Sequence, residues 1–429
     1  MKIKTAERKY EEVLTLPREE RKRPKRIHRL FRILIRVLSE GELRRVNFRS
    51  RSFGMEKLGA GEPCLILMNH SSFIDLKIAS ALLYPRPFHI VCTSDGFVGK
   101  EWLMRNAGCI PTRKFMTDPH LVKDMLYALR ELKSSVLMYP EASYSFDGTA
   151  TPLPEGLGKC LKILQVPVVL IRTYGAFTYD PLYNNLRKRK VNVSADISYL
   201  LSPEEIGRKT PEELNATLRE AFSFDHFRWQ QENRVRVSEP FRAEDLNRVL
   251  YKCPHCQTEG QMKGSGARLV CRSCGKEYEL TEYGYMKALD GETEFPHIPD
   301  WYRWQRECVR RELVENRYAL HVPVDIYMMV NTKCVYRVGE GELNHSAEGF
   351  HLTGCDGRLD YRQGPRRSYS LYSDYYWYEI GDMICLGDRK ALYYCFPHVK
   401  DVAAKARLAV EELYKMKRRA LHTDVGLTE

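Results

Sequence analysis

The sequence predicts an α/β domain with a mostly parallel sheet and flanking helices, then a small metal ribbon, then a C-terminal α+β domain. Three observations carry this. Short apolar runs alternate with amphipathic segments from about residue 60 onward, the pattern of strands joined by helices. Two CxxC pairs follow, Cys253/Cys256 and Cys271/Cys274. Beyond them, strand-like runs separated by turn signals end in an amphipathic helix. The implied boundaries are 1–50 for a basic amphipathic segment, 51–247 for the α/β domain, 248–285 for the ribbon and 286–429 for the last domain.

Composition narrows the class. Of the 429 residues, 43% are hydrophobic and 29% charged, values of a folded globular protein rather than a disordered one. The formal net charge is +12, which points to an anionic partner: a membrane, a phosphorylated substrate or a nucleic acid. Ile163–Ile171, an uncharged core-like stretch, is only nine residues, and the longest run without Asp, Glu, Lys or Arg, Pro63–Ile74, is twelve, far short of a membrane span. No apolar h-region follows the basic N-terminus, so no signal peptide is expected. Nine of the thirteen cysteines are scattered singly, which argues for a reducing compartment.

The charge is concentrated. Between Pro17 and Arg36 there are nine Arg or Lys and two Glu. The first half, Arg21–Arg26, is a basic run broken by Pro24. The second is amphipathic: Ile27, Leu30, Phe31, Leu34, Ile35 and Leu38 recur at helical spacing, with Arg29, Arg32 and Arg36 between them. Such a helix can lie in a bilayer interface, with anionic headgroups adding on the order of 1 kcal/mol per nearby basic residue. A helix packed on its own domain and a nucleic-acid arm are the alternatives. The expected location is cytoplasmic, peripheral on the inner face of a membrane.

Within the α/β region, Cys64–Met68 reads as a buried strand, Ser72–Leu83 as a helix and Phe88–Thr93 as a strand. Asp118–Leu132 is the clearest helix, with Asp118 as N-cap and Leu121, Val122, Met125, Leu126, Leu129 and Leu132 on one face. Val136–Tyr139, Val168–Arg172 and Val191–Tyr199 read as strands and Leu157–Leu164 as a helix. Thr210 opens another helix with Pro211 at its first position. In the last domain, Pro299–Arg317 is helical. Asp356-Gly357 marks a hairpin between Phe350–Thr353 and Arg358–Arg362. Gly387-Asp388 separates strands Tyr376–Leu386 and Ala391–Phe396, and Asp401–Lys415 is the closing helix. The aromatic cluster Tyr372, Tyr375, Tyr376, Trp377 and Tyr378 is expected in a strand core.

The chemistry gathers after the buried strands. Met68-Asn69-His70-Ser71-Ser72-Phe73-Ile74-Asp75 follows the first. On one helix His70 and Asp75 would lie about 140° apart. They meet only if His70 sits in the loop and Asp75 in the following helix. Asp75 then accepts from one ring nitrogen and leaves the other as a base. Alone, this spacing more often belongs to a surface histidine. It is joined by Gly108–Arg113, by Tyr139-Pro140-Glu141-Ala142-Ser143-Tyr144-Ser145, and by Val166-Pro167-Val168. Ends of parallel strands are where α/β sheets place their sites.

The order and spacing of these four blocks resemble the glycerolipid acyltransferases of the 1-acylglycerol-3-phosphate acyltransferase type, over roughly residues 50–240. That resemblance implies His70 as general base and Asp75 as its orienter. It implies Arg113 at the acceptor or donor phosphate, Glu141 on an acceptor hydroxyl, and Asn69, Ser143, Tyr144, Gly156 and Pro167 at matched substrate-site positions. The implied reaction moves a fatty acyl group from acyl-CoA or an acyl carrier protein to a hydroxyl of a lysophospholipid or related glycerolipid at a membrane surface. Backbone amides at the helix start would hold the oxyanion. A serine nucleophile, Ser71 or Ser72, lacks the G-x-S-x-G elbow. The competing reading is a catalytically inactive lipid-binding adaptor. Two blocks depart from the family pattern: in the third, Ala142 stands for its glycine and Tyr144 for its phosphate-reading arginine. In the fourth, Leu170 replaces a second proline.

Cys253-x-x-Cys256 and Cys271-x-x-Cys274, with fourteen residues between the pairs, suit a closed tetrahedral structural zinc. His255 inside the knuckle is expected to be exposed. The ribbon lacks a basic and aromatic face, so no nucleic acid is expected. No P-loop or G-x-G-x-x-G is present. The C-terminal domain resembles a pleckstrin-homology-like domain, a bent sheet capped by a final helix.

Overall fold

The computed structural model describes residues 2–115 and 118–425. Contacts divide the chain into two compact units. One comprises Arg21–Pro181 and Leu186–Glu239; the other comprises the residues up to Glu20, Leu182–Asn185 and Pro240 onward. The sequence boundaries at 50 and 247 therefore differ from the structural ones. The first fifty residues are shared between the units, and the ribbon and the last domain fall in one unit.

In chain order the elements begin with β1 (Thr5–Glu7) and α1 (Tyr10–Leu14), both in the ribbon-containing unit. The α/β unit then runs α2 (Arg29–Arg45), β2 (Arg49–Phe53), β3 (Leu65–Met68), α3 (Asp75–Leu83), β4 (Phe88–Thr93), α4 (Glu101–Asn106), β5 (Cys109–Thr112), α5 (Pro119–Arg130), β6 (Ser135–Met138) and α6 (Leu157–Leu164). It continues through β7 (Val168–Tyr174), α7 (Ala176–Tyr179), β8 (Ser194–Leu201), α8 (Pro203–Arg208), α9 (Pro211–Phe222) and α10 (His226–Glu232).

Its seven-stranded sheet has the order β2-β8-β7-β3-β6-β4-β5. From β7 to β5 all neighbours are parallel, and β8 is antiparallel to β7. The expected parallel sheet is present. Strand β3 explains why: all four of its side chains are buried, Ile66 and Met68 in the cluster with α2 and α3, Leu65 and Leu67 in the cluster with α5, α6 and α9. A strand covered on both faces reads as a continuous apolar run. The caps match the sequence. Asp118 accepts from the His120 N–H, and Thr210 with Glu213 forms a capping box ahead of Pro211. Two strands were not expected. β2 (RSRSF) is wholly exposed and β5 (CIPT) contains proline; both lie at edges, where charge and proline are tolerated.

The basic run has a local task. Arg21 pairs with Asp124 at 2.5 Å, Lys22 with Glu101 at 2.8 Å, and Arg105 and His89 bond the carbonyls of Lys22 and Lys25. Ile27 is buried against Gly108, whose added Cβ would lie 2.6 Å from it. The amphipathic face is thus divided. Phe31 and Ile35 are half-buried, whereas Leu30, Leu34 and Leu38, joined by Ile33 and Val37, form an exposed apolar stripe on α2.

The other unit holds two sheets. β9 (Met262–Ser265), β10 (Arg268–Cys271), β11 (Glu277–Leu280) and β12 (Met286–Ala288) form the ribbon. After α11 (Ile298–Val314) come β13 (Leu320–Met329), β14 (Val335–Ser346), β15 (Gly349–Gly354), β16 (Leu359–Gln363), β17 (Tyr372–Trp377), β18 (Gly381–Gly387), β19 (Leu392–Pro397) and α12 (Val402–Val425). The strand order is β16-β15-β14-β13-β19-β18-β17, with β1 added parallel to β14. Two antiparallel meanders thus join through their first and last strands. The expected single strand Tyr376–Leu386 is corrected: β17 and β18 form a hairpin, and Tyr376, Tyr378 and Glu379 adopt positive φ at its bend. Aromatic residues hide a turn that glycine would have signalled. Tyr372, Tyr375 and Trp377 are buried as expected, and Tyr376 is exposed.

Candidate active site and four-cysteine centre

The C-terminal ends of β3, β5, β6 and β7 deliver their loops to one edge of the sheet. His70 leaves β3, and Asp75 is the first residue of α3. His70 Nδ1 lies 3.1 Å from Asp75 Oδ2. The same oxygen accepts the backbone N–H groups of Ser71 at 2.8 Å and Ser72 at 3.0 Å. Asp75 is 1% exposed. Burial pushes its carboxyl up to about 7, against the pull of those two amides. Burial, aided by the Lys114 charge, holds the His70 ring well below its ordinary value. A neutral imidazole with Nδ1 turned to a carboxylate presents Nε2 as base, the tautomer being assigned from this hydrogen bond.

Two aromatic rings hold the imidazole between them. Tyr139 stacks on one side with centroids 4.1 Å apart, Tyr144 on the other at 3.9 Å. Phe73 extends the stack at 5.5 Å from Tyr144 and is itself exposed. Tyr139 and Phe73 were not singled out in the sequence. An aromatic residue at each strand or loop end beside the motif was the only signal.

The remaining expected residues divide into two groups. Arg113 follows β5 beside Lys114, whose charge is felt at His70. Glu141 reaches the site but faces backbone: one oxygen accepts the His70 N–H at 3.0 Å and the other the Thr151 N–H at 2.8 Å. Asn69 accepts from the Thr173 N–H at 2.9 Å and donates to Ser71 Oγ at 3.1 Å. Ser143 is buried and bonds the Tyr144 carbonyl at 3.2 Å. All three brace loops through these bonds. Gly156 caps α6 in open space; the glycine that tolerates no side chain is Gly158, where a Cβ would lie 2.1 Å from the Pro211 carbonyl oxygen. Pro167 precedes β7, and its carbonyl accepts the Leu65 N–H. It therefore lies at the opposite end of the strands from His70.

The hydroxyls of the two serines are tied to side chains from elsewhere in the unit. Both are buried. Ser71 Oγ lies 3.1 Å from His226 Nε2, and Ser72 Oγ donates to Asp180 while accepting the Ile74 N–H at 3.1 Å. The amides of Ser71, Ser72 and Ile74 are thus engaged already, so the expected oxyanion donors at the helix start are not these three.

In the other unit, Cys253, Cys256, Cys271 and Cys274 place four sulfurs within 4.8 Å of one another. Cys253–Cys274 is 3.8 Å and Cys256–Cys271 is 3.7 Å. A tetrahedron with metal–sulfur bonds of about 2.3 Å has edges of about 3.8 Å, so the residues fit a metal. His255 is exposed and pairs with Glu294 at 3.4 Å.

The family model described as Acyltransferase matches residues 49–172. A chloroplastic 1-acyl-sn-glycerol-3-phosphate acyltransferase of Brassica napus, BAT2, is 30% identical over 128 residues, 28% of this chain and 36% of that one. The chain thus spans about a third of the length of that curated relative. The 1-acyl-sn-glycerophosphate acyltransferase PlsC of Thermotoga maritima has a TM-score of 0.36 and 16% identity, covering 44% of this chain and 76% of its own. Both motif residues, His70 and Asp75, lie inside the segment 49–172 that matches the Acyltransferase family model.

Proposed function

We propose that this protein transfers a fatty acyl group from an acyl thioester to a hydroxyl of a lysophospholipid or related glycerolipid. The observation that carries the reading is the 3.1 Å contact between His70 and a carboxylate held by two backbone amides at the end of a parallel strand. His70 Nε2 takes the proton of the acceptor hydroxyl as its oxygen attacks the thioester carbonyl. The C–S bond breaks, and the leaving thiolate takes that proton, giving an ester and a free thiol. Arg113 and Lys114 supply positive charge at the mouth for a phosphate of acyl-CoA, of an acyl carrier protein or of the acceptor.

Three further assignments belong to the same reading. The stripe Leu30, Ile33, Leu34, Val37 and Leu38 on α2 is spaced for contact with an anionic membrane surface, and no helix among the described residues is long and apolar enough to cross a membrane. The four thiolates hold structural zinc, with no open position for chemistry. The strand order of the C-terminal sheet and its terminal helix support a pleckstrin-homology-like domain.

The test is thioester turnover with the purified full chain and a panel of lysolipids, followed by thiol release. His70→Ala should lower kcat/KM by roughly 10²–10⁴-fold without unfolding. Near-normal turnover in that variant, or lysolipid binding without any turnover in the wild type, would leave the lipid-binding adaptor as the better reading.

A further inference from the structure

Two buried polar residues beyond the matched segment touch the loop that carries the reaction centre. Asp180, after α7, is 2% exposed and accepts from the Ser72 hydroxyl. His226, the first residue of α10, is 4% exposed and meets Ser71 Oγ through Nε2 at 3.1 Å. Its backbone N–H is fixed to the Gly148 carbonyl at 2.8 Å, and its ring stacks on Phe177. We propose that Asp180 and His226 are positioning residues of the acyl-transfer centre, each clamping one serine whose backbone amide holds Asp75.

The proposal rests on the acyl-transfer reading, and the geometry supports it in three ways. First, the path is short. Ser71 and Ser72 donate their N–H groups to Asp75 Oδ2, the oxygen that meets His70 Nδ1. A rotation of either serine shifts the carboxylate from the ring. Second, each serine is used on both sides. Ser71 Oγ accepts from Asn69, which leaves its proton for His226 Nε2; Ser72 Oγ accepts from Ile74 and donates to Asp180. Third, both distant groups lie badly as mere packing. His226 Nδ1 is buried without a hydrogen-bond partner among the described residues, and Asp180 is a carboxyl in a desolvated site. An apolar side chain would avoid both penalties. What a polar residue adds is a fixed direction for a serine hydroxyl, and misplacement of a reacting group by about 1 Å can cost about 100-fold in rate.

The experiment compares Asp180→Ala with Asp180→Asn, and His226→Ala with His226→Gln, in the full chain. The alanine variants should lose about 10–100-fold in kcat with acceptor KM within about twofold. Asn and Gln keep a hydrogen-bonding atom near the serine and should recover most of the loss. Ser72→Ala and Ser71→Ala remove the same bonds without touching Asp180 or His226, and decide the matter if the alanine variants fail to fold. An independent readout is the ¹⁵N spectrum of the His70 ring, assigned by its disappearance in His70→Gln. The Nδ1–H tautomer should persist in Asn and Gln variants and be lost in the alanine and serine variants. Folded alanine variants with wild-type kcat and an unchanged ring spectrum overturn the proposal. Absence of turnover in the wild type overturns the acyl-transfer reading instead, while the ring spectrum still decides whether these residues position His70.

Discussion

The Tyr144 ring lies against the His70 imidazole, 3.9 Å between centroids and 30° from parallel. At this position the family resemblance implies an arginine that would meet a phosphate monoester with a bidentate fork. Tyrosine brings a ring and one neutral donor. Arg172, one of the cations that the sequence offers as a replacement, is turned to the Ala221 carbonyl and the Phe224 ring. Arg113 and Lys114 remain as cations for an acceptor phosphate, so the loss is partial: lysophosphatidate is expected to be a weaker acceptor than a lysolipid with a larger headgroup or a glycolipid alcohol. Tyr144→Arg should raise kcat/KM for lysophosphatidate about tenfold, the low end of a charge-assisted hydrogen bond. Wild-type preference for lysophosphatidate, unimproved by the substitution, would contradict this.

The rate should depend on pH through the His70–Asp75 pair. His70 is held well below its usual value, so it stays neutral near neutrality, while burial sets Asp75 at about 7. Protonating Asp75 removes the acceptor for Nδ1–H. The rate kcat/KM should thus fall as pH drops through about 7, an apparent value belonging to the pair. Asp75→Asn should be slow and lose that limb. A limb unchanged near 7 in Asp75→Asn argues for another titrating group.

Asp180 gives a stability test of opposite sign to an ordinary salt-bridged carboxylate. Burial raises it from 3.8 to about 8, against the Ser72 hydrogen bond. Between about pH 4 and 8 the folded chain then binds more protons than the unfolded one, so this group's contribution falls as pH rises. Asp180→Asn removes the titration and keeps an acceptor oxygen. Its Tm relative to wild type should climb steadily from pH 5 to pH 8. A difference that is flat or declines over that range contradicts the assignment.

One zinc per chain is expected from elemental analysis of protein purified without chelator. Cys256→Ser should lose the metal and lower Tm, because a structural site couples metal binding to folding. Four freely titrating thiols and no metal would refute it.

The α2 stripe should bind lipid. Replacing Leu34 and Val37 by Glu removes two exposed apolar side chains, each worth about 1.5–3 kcal/mol when buried. Sedimentation with anionic vesicles should fall by at least about tenfold with Tm unchanged. Point changes are preferable to truncation, since Arg21, Lys22 and Ile27 pack on the domain. Binding that is equal on neutral and anionic vesicles, and indifferent to salt, would leave only the apolar part of the proposal.

Legibility followed burial. The β3 run, the Asp118 and Thr210 caps and the Asp356-Gly357 hairpin are local signals, and each appears where the sequence places it. β2 and β5 escaped because edge strands carry arginine and proline. At the site, His70 and Asp75 were readable because five residues of chain join them. His226 lies 155 residues from Ser71 and Asp180 lies 108 from Ser72; no local pattern links such pairs. Glu141, Asn69 and Pro167 stand at motif positions by resemblance, and motif membership does not say whether a side chain faces ligand or backbone.

Glu141 has a consequence for how such domains change their substrates. Its two oxygens tie the His70 loop to Thr151, so the glutamate belongs to the frame, and the residue three positions on, Tyr144, lies against the reacting ring. On the acyl-transfer reading proposed above, framework and selectivity would be carried by different side chains of one short loop. A lineage can exchange the second and meet a new headgroup without disturbing the first. An inactive Glu141 variant would then report a lost scaffold, and it would be mistaken for a lost substrate contact by anyone reading the motif alone.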